Sequence, residues 1–271
     1  MKTKILVATM VVLSAGRVPA ELIVDWGGNY VDGSRSMTLP TFTDNGGQRT
    51  FGYSDTVEVT PASYTAPAGK TDAIFAALQN TSTDGTARNF GAVRITNNGD
   101  NDLFYVQGNS GVGGSVEGLF FFTQGGFLNG YDSGVLSLDN LSGRLSIYQF
   151  SETASFRFAV ESDSGWYLSE TEQTATGLFE LGSLGAENWG VWDPDTAPLS
   201  AVPGTFSTGG STLDGVTAVG FYFSGVRGSS APSLSVDSFQ ISVIPEPGSL
   251  VLMLLGCVAI LPLRWRLHGM R

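Results

Sequence analysis

Two residue types that carry much of enzyme chemistry are almost missing from this 271-residue chain. It has one cysteine, Cys257, and one histidine, His268, and both fall in the last fifteen residues. Without either residue elsewhere there can be no Ser-His-Asp triad, cysteine nucleophile, haem attachment or ordinary zinc site. A disulfide is excluded as well, so the fold must be held by its core alone. Positive charge is scarce too. Between Glu21 and Glu246 the chain has 25 acidic residues against eight basic ones, a net −17, compared with −11 for the whole chain. A stretch with one lysine, Lys70, and seven arginines has few cations with which to release phosphate counterions. Nucleic acid is therefore not an expected partner. Long helical periods are also lacking; Thr71–Gln79 is the best candidate for a short helix.

What is present begins at the N-terminus. Lys2 and Lys4 precede the apolar run Ile5–Ala15, and Val18 and Ala20 stand at positions suited to cleavage. This is the pattern of a secretory signal peptide over residues 1–20, to be removed by signal peptidase. The other end reads as a breaker, an apolar helix and a basic stop. Pro245-Glu246-Pro247 denies its neighbours a helical backbone. A transmembrane helix is expected over 249–263, since Leu250–Leu263 carries no charge. Arg264 and Arg266 flank Trp265 in the basic tail, 264–271, and act as a membrane stop. The fourteen residues of Leu250–Leu263 make about 21 Å of helix at 1.5 Å per residue. That is short for about 30 Å of hydrocarbon, so Gly248, Ser249 and the snorkelling arginines must make up the difference.

This order of elements resembles the PEP-CTERM sorting signal of exported bacterial proteins. The resemblance covers about a tenth of the chain, residues 245–271. It implies an exosortase-type sorting enzyme as a partner, contact of the helix with membrane lipid, and processing near Pro245, Glu246 and Pro247. It further implies export, anchoring in the inner membrane before processing, and then residence in the cell envelope, at the cell surface or in the extracellular matrix. With the basic tail held in the cytoplasm, the domain 21–244 faces the periplasm or beyond.

That domain has a β pattern throughout. Short apolar runs are separated by clusters of Gly, Ser, Thr, Asn and Asp. Ala154–Glu161 alternates, with Phe156, Phe158 and Val160 on one face; Ala218–Phe223 does the same with Val219, Phe221 and Phe223. Arg144–Phe150, Phe90–Thr96, Leu103–Val106 and Trp166–Ser169 are further strands. Val116–Phe122 is apolar on both faces at its end, as expected of a central strand or one beneath a loop. Near the end of the domain Leu234 and Val236 share one parity, and Phe239, Ile241 and Val243 the other. A β-bulge at Asp237-Ser238 accounts for the change of phase. Ten to twelve strands separated by such turns imply an all-β, two-sheet sandwich, with a jelly roll as the expected topology. The stretch up to about Gly85 is the least regular, and is expected to wrap this sandwich.

Several stretches are candidates for chemistry. Asn97–Asp102 gathers oxygen ligands on one turn, so Asp100 and Asp102 are calcium candidates. The EF-hand spacing is missing, and a solvated hairpin turn uses the same residues. Among the aromatic residues, Trp189 and Trp192 in a Gly-rich stretch form the candidate platform for glycan or exopolysaccharide, with core packing as the alternative. Glu161 and Asp163 resemble part of the acid motif of laminarinase-type jelly-roll glycanases. Gly165 stands where that family has its third acid, so the pair is read as a strand end and its turn, and no catalytic residue is assigned. Three function classes remain: a non-catalytic envelope or matrix protein associated with glycan, a secreted carbohydrate-active enzyme on a jelly-roll scaffold, and a purely structural or adhesive surface protein. The first is preferred, with no cofactor assigned and calcium as the one candidate ligand ion.

Overall fold

The computed structural model describes residues 20–29, 37–38, 57–58, 69, 71, 74–82, 90–98, 101–108, 114–150, 153–193, 202–226 and 233–244. Apart from Ala20 these all belong to one compact unit, Glu21–Ile244. The expected signal peptide, the Pro-Glu-Pro motif, the apolar helix and the basic tail lie outside the described residues. Among the described residues, no helix is long and apolar enough to cross a membrane.

The unit is all-β. Its strands are β1 (Glu21–Asn29), β2 (Met37–Thr38), β3 (Val57–Glu58), β4 (Ile74–Ser82), β5 (Phe90–Asn98), β6 (Asn101–Gly108), β7 (Gly114–Thr123), β8 (Leu141–Phe150), β9 (Thr153–Ser162), β10 (Gly165–Ser169), β11 (Gly177–Leu181), β12 (Asn188–Trp192), β13 (Thr208–Gly209), β14 (Ala218–Val226) and β15 (Ser233–Val243). Among the described residues the helical pieces are single 3-10 turns, such as Gln124–Gly126 and Leu138–Asn140. Two antiparallel sheets result. Sheet A has the order β11-β8-β15-β1-β6-β5-β2, and sheet B the order β13-β12-β10-β9-β14-β7-β4-β3. The chain changes sheet between β2 and β3, β4 and β5, β6 and β7, β7 and β8, β8 and β9, β10 and β11, β11 and β12, and β14 and β15. The layers are therefore interleaved along the sequence.

The inner faces meet in one apolar core. Phe156, Phe158 and Val160 of β9 pair with Phe223, Phe221 and Val219 of β14, as their shared parity predicts, and all six are at most 1% exposed. Sheet A supplies Trp26, Phe179, Phe239 and Ile241 to the same cluster. Aromatic rings bridge the layers: Trp26 to Phe120 at 5.1 Å, Phe158 to Phe179 at 4.9 Å, and Phe122 to Phe239 in a stack at 5.6 Å. Burying each such side chain contributes about 1.5–3 kcal/mol. β7 is interior to sheet B, between β14 and β4, and its Leu119–Phe122 run is apolar at both parities because Phe120 and Phe122 enter the inner core while Leu119 and Phe121 are buried in a second apolar cluster.

The phase change in β15 is a bulge within one continuous strand. Val236 pairs with Ile147 and Ser238 with Ser146, so Asp237 is the extra residue. Before the bulge β15 pairs with β6, and after it with β1. Gly27 fits the crowded point on β1. Its φ is +78°, and a Cβ there would lie 2.0 Å from the Asp237 carbonyl oxygen, so a side chain is excluded on both counts.

Two expectations are corrected. The candidate helix at Thr71–Gln79 is strand from Ile74 onward, running beside β7 from Ile74 opposite Phe121 to Ser82 opposite Gly114. A local propensity for helix yields to pairing with a long apolar neighbour. The first third of the domain also does more than wrap the sheets. β1 lies between β15 and β6, and β4 between β7 and β3.

Candidate functional surface

Trp189 and Trp192 do not form an exposed platform. Both lie on β12, where Trp189 pairs with Ser169 and Trp192 with Trp166. Residues three apart on a strand point to opposite faces, and these two are separated by the sheet. Trp189 is 0% exposed in the inner core, donating its indole N–H to the Leu184 carbonyl at 3.1 Å. Trp192 is 4% exposed in a second apolar cluster on the outer face of sheet B. The other tryptophans of the described residues, Trp26 and Trp166, are buried as well.

That outer cluster is the most distinctive surface feature. Leu119 and Phe121 of β7, Ala159 of β9, Trp166 and Leu168 of β10, Trp192 of β12, and Ala218 and Tyr222 of β14 compose it. The small residues Ala159, Ala218 and Gly220 stand mid-sheet and leave room for large rings to lean across them. Phe121 meets Trp166 edge-on at 5.2 Å, and Trp192 meets Tyr222 at 5.4 Å. Such pairs add about 0.5–1.5 kcal/mol beyond area burial.

A strap, Val202–Ser207, lies over this face. Val202 packs on the cluster, and Phe206 stacks on the Arg157 guanidinium, with its ring centroid 5.0 Å from Cζ. Pro203 approaches β12 so closely that a Cβ on Gly190 would stand 2.5 Å from the Pro203 Cβ. None of the hydrogen bonds found among the described residues involves Val202–Ser207.

Arg157 stands beside Tyr222 on the same face, 8% exposed. Its Nη1 donates to the Ser169 carbonyl at 2.7 Å and to the Glu170 carbonyl, and its Nη2 to the Glu172 carboxylate at 2.6 Å. The adjoining turn is tied further. The Glu187 carboxylate accepts from the Thr171 N–H and hydroxyl at 2.7 and 2.9 Å, and the Asn188 amide donates to Glu170 at 2.8 Å. These carboxylates are spent on fixing a turn. Two donors under the strap have no acceptor, Arg157 Nε and Trp192 Nε1; leaving a buried donor unpaired costs about 1–3 kcal/mol. Neither Arg157 nor the strap was singled out by its sequence. An arginine at an outward strand position reads as solvated until a distant segment is known to cover it.

The remaining candidates fall as follows. Ser162 pairs with Gly165, so Asp163 and Ser164 form the β9–β10 turn. Glu161 accepts from the Thr217 hydroxyl at 3.0 Å. This agrees with a strand end and its turn. Asn98 pairs with Asn101 and Asn97 with Asp102, so this stretch closes the β5–β6 hairpin. Asp100, and the side chain of Asp102, lie outside the described residues, as do Pro245, Glu246, Pro247, Arg264 and Arg266. Among the described residues no group of three or more His, Cys, Asp or Glu side chains could hold a metal ion.

No family model matches the chain, and no curated protein is similar to it. Among solved structures, that of PfGH50B is similar over 62% of this chain at 12% identity, with a TM-score of 0.29. The match spans 23% of the length of that protein.

Proposed function

We propose that this is a non-catalytic exported protein, carried to the bacterial envelope or extracellular matrix by a C-terminal PEP-CTERM signal and associated there with glycan. The observation that carries the reading is the order Pro245-Glu246-Pro247, an uncharged run Leu250–Leu263, then Arg264-Trp265-Arg266. Signal peptidase acts after residue 20, an exosortase-type enzyme near Glu246, and the helix 249–263 holds the chain in lipid between the two events. The strand pairing suits this scheme. Glu21 stands opposite Val243 in neighbouring β1 and β15, so both cuts fall just outside a hydrogen-bonded strand pair. The jelly-roll topology belongs to the same proposal, as does calcium at Asp100 and Asp102, for which glycan binding with and without calcium is the check.

A purely structural or adhesive role is the second reading. It is favoured by the burial of Trp26, Trp166, Trp189 and Trp192, which leaves no open tryptophan platform among the described residues. The sorting reading is tested by mass spectrometry of the C-terminus in an exosortase-positive host. Pro245→Ala with Pro247→Ala should leave the protein exported and anchored but untrimmed. Neutral residues at 264 and 266 should let the helix slip and release full-length chain, since each arginine opposes transfer by about 2.5–3.5 kcal/mol. Trimming of the double-proline variant like the wild type would reduce the motif to a linker.

A further inference from the structure

The outer face of sheet B combines three features that a second core has no need of. Trp192 Nε1 and Arg157 Nε are buried without an acceptor, whereas buried donors are ordinarily paired. Both residues are over nine-tenths buried, and both occupy outward positions of sheet B next to Tyr222, by ring contact and by register. The strap above them is joined to the sheet by none of the hydrogen bonds found among the described residues. Segments held without hydrogen bonds, here by the apolar packing of Val202 and the Phe206–Arg157 stack, are the ones that open locally at low cost.

A ligand that replaced the strap would have to bring apolar surface in place of Val202 and Phe206, and oxygen acceptors for two N–H groups. A neutral pyranose does both. Its axial C–H face stacks on indole and phenol rings, and its hydroxyl and ring oxygens accept hydrogen bonds. A polyanionic chain is disfavoured by the net −16 of the domain, eight basic residues against 24 acidic ones between Glu21 and Ile244. Resting on the glycan-associated reading above, we propose that Val202–Ser207 is a displaceable strap and that the face beneath it, centred on Trp192, Trp166, Tyr222 and Arg157, binds a chain of neutral hexopyranoses. The closed strap lowers apparent affinity by the fraction of molecules in which it is shut, so lifting it strengthens binding.

Gly190 provides the lever. A Cβ there would stand 2.5 Å from the Pro203 Cβ and 2.8 Å from the Thr205 carbonyl oxygen, so Gly190→Ala pushes the strap outward and removes no ring. Full-length protein in detergent micelles is titrated calorimetrically with a soluble neutral β-glucan, with dextran, and with alginate as the anionic probe. Acrylamide quenching of tryptophan fluorescence reports strap opening. Gly190→Ala should raise quenching and tighten binding of a neutral polymer about tenfold. Trp192→Phe in that background should weaken it about three- to tenfold, and alginate should not bind. Phe206→Ala opens the strap by a second route should Gly190→Ala fail to fold. Raised quenching without neutral-glycan binding overturns the proposal, as does unchanged quenching in both variants or preferential binding of alginate. These variants leave residues 245–271 untouched, so C-terminal trimming judges the sorting reading separately.

Discussion

Strands β7 and β8 treat their outward positions in opposite ways. On β8, Leu141, Gly143, Leu145 and Ile147 are buried, while Arg144 and Tyr148 are open to water and Ser142 and Ser146 are half-buried. The neighbouring outward residues of β11, Leu178 and Glu180, are also exposed. On β7, Phe120 and Phe122 enter the core, and Leu119 and Phe121 are equally buried on the other side. The described outer face of sheet A at this corner is thus wet, and that of sheet B is dry beneath a strap. Clean alternation marks a sheet with one covered face, and its loss marks a sheet covered on both. The two buried faces of sheet B also differ. The inner one is closed by a second sheet, the outer one by a segment without hydrogen bonds to it.

Truncations at adjacent positions of β14 test that difference most directly. Phe221→Ala removes a ring packed against Phe120 and Phe239 from both layers, and should cost about 3–5 kcal/mol in chemical denaturation. Tyr222→Ala, on the outer side, should cost about 2–3 kcal/mol, because a strap without hydrogen bonds can settle into the space left behind. Equal losses would make the outer cluster as rigid as the inner core, and would remove the contrast.

The wet face should be far more tolerant. The Arg144–Glu180 ion pair is 3.2 Å long with both side chains more than half exposed, and exposed pairs of this kind contribute at most about 1 kcal/mol. Arg144→Ala should therefore leave the denaturation midpoint nearly unchanged, and its small effect should vanish in high salt. A larger loss would mean that this face is not simply solvated.

The smallest effect is expected at the sheet end, where Tyr131 donates to the Glu21 carboxylate at 2.9 Å. Burial, followed by the hydrogen bond and the negative charge of Glu21, raises the Tyr131 pKa above its ordinary value of 10.0. A raised folded-state pKa means that the folded protein holds its proton more tightly than the unfolded chain. The resulting stability is complete below about pH 10 and is lost as pH climbs through the folded-state pKa. Denaturation profiles of wild type and Tyr131→Phe should run parallel below that value and converge above it.

Much of this was legible locally. Strand parity placed Phe156, Phe158, Val160, Val219, Phe221 and Phe223 in the core, and the phase break in β15 located the bulge at Asp237-Ser238. The scarcity of cysteine and histidine removed whole classes of chemistry before any fold was considered. These are properties of period and composition, which a linear chain displays without reference to its partners. The spacing of Trp189 and Trp192 was misread as a shared platform, although three residues of separation on a strand implies opposite faces. Other features depended on contacts between residues far apart in the chain. Ile74–Ser82 is a strand because β7 is there to pair with it. Trp192 and Arg157 are buried because Val202–Ser207 crosses back over β12 and β9. Period determines which side chains share a face; only the tertiary arrangement decides what, if anything, covers it, because burial depends on residues whose proximity no local pattern records.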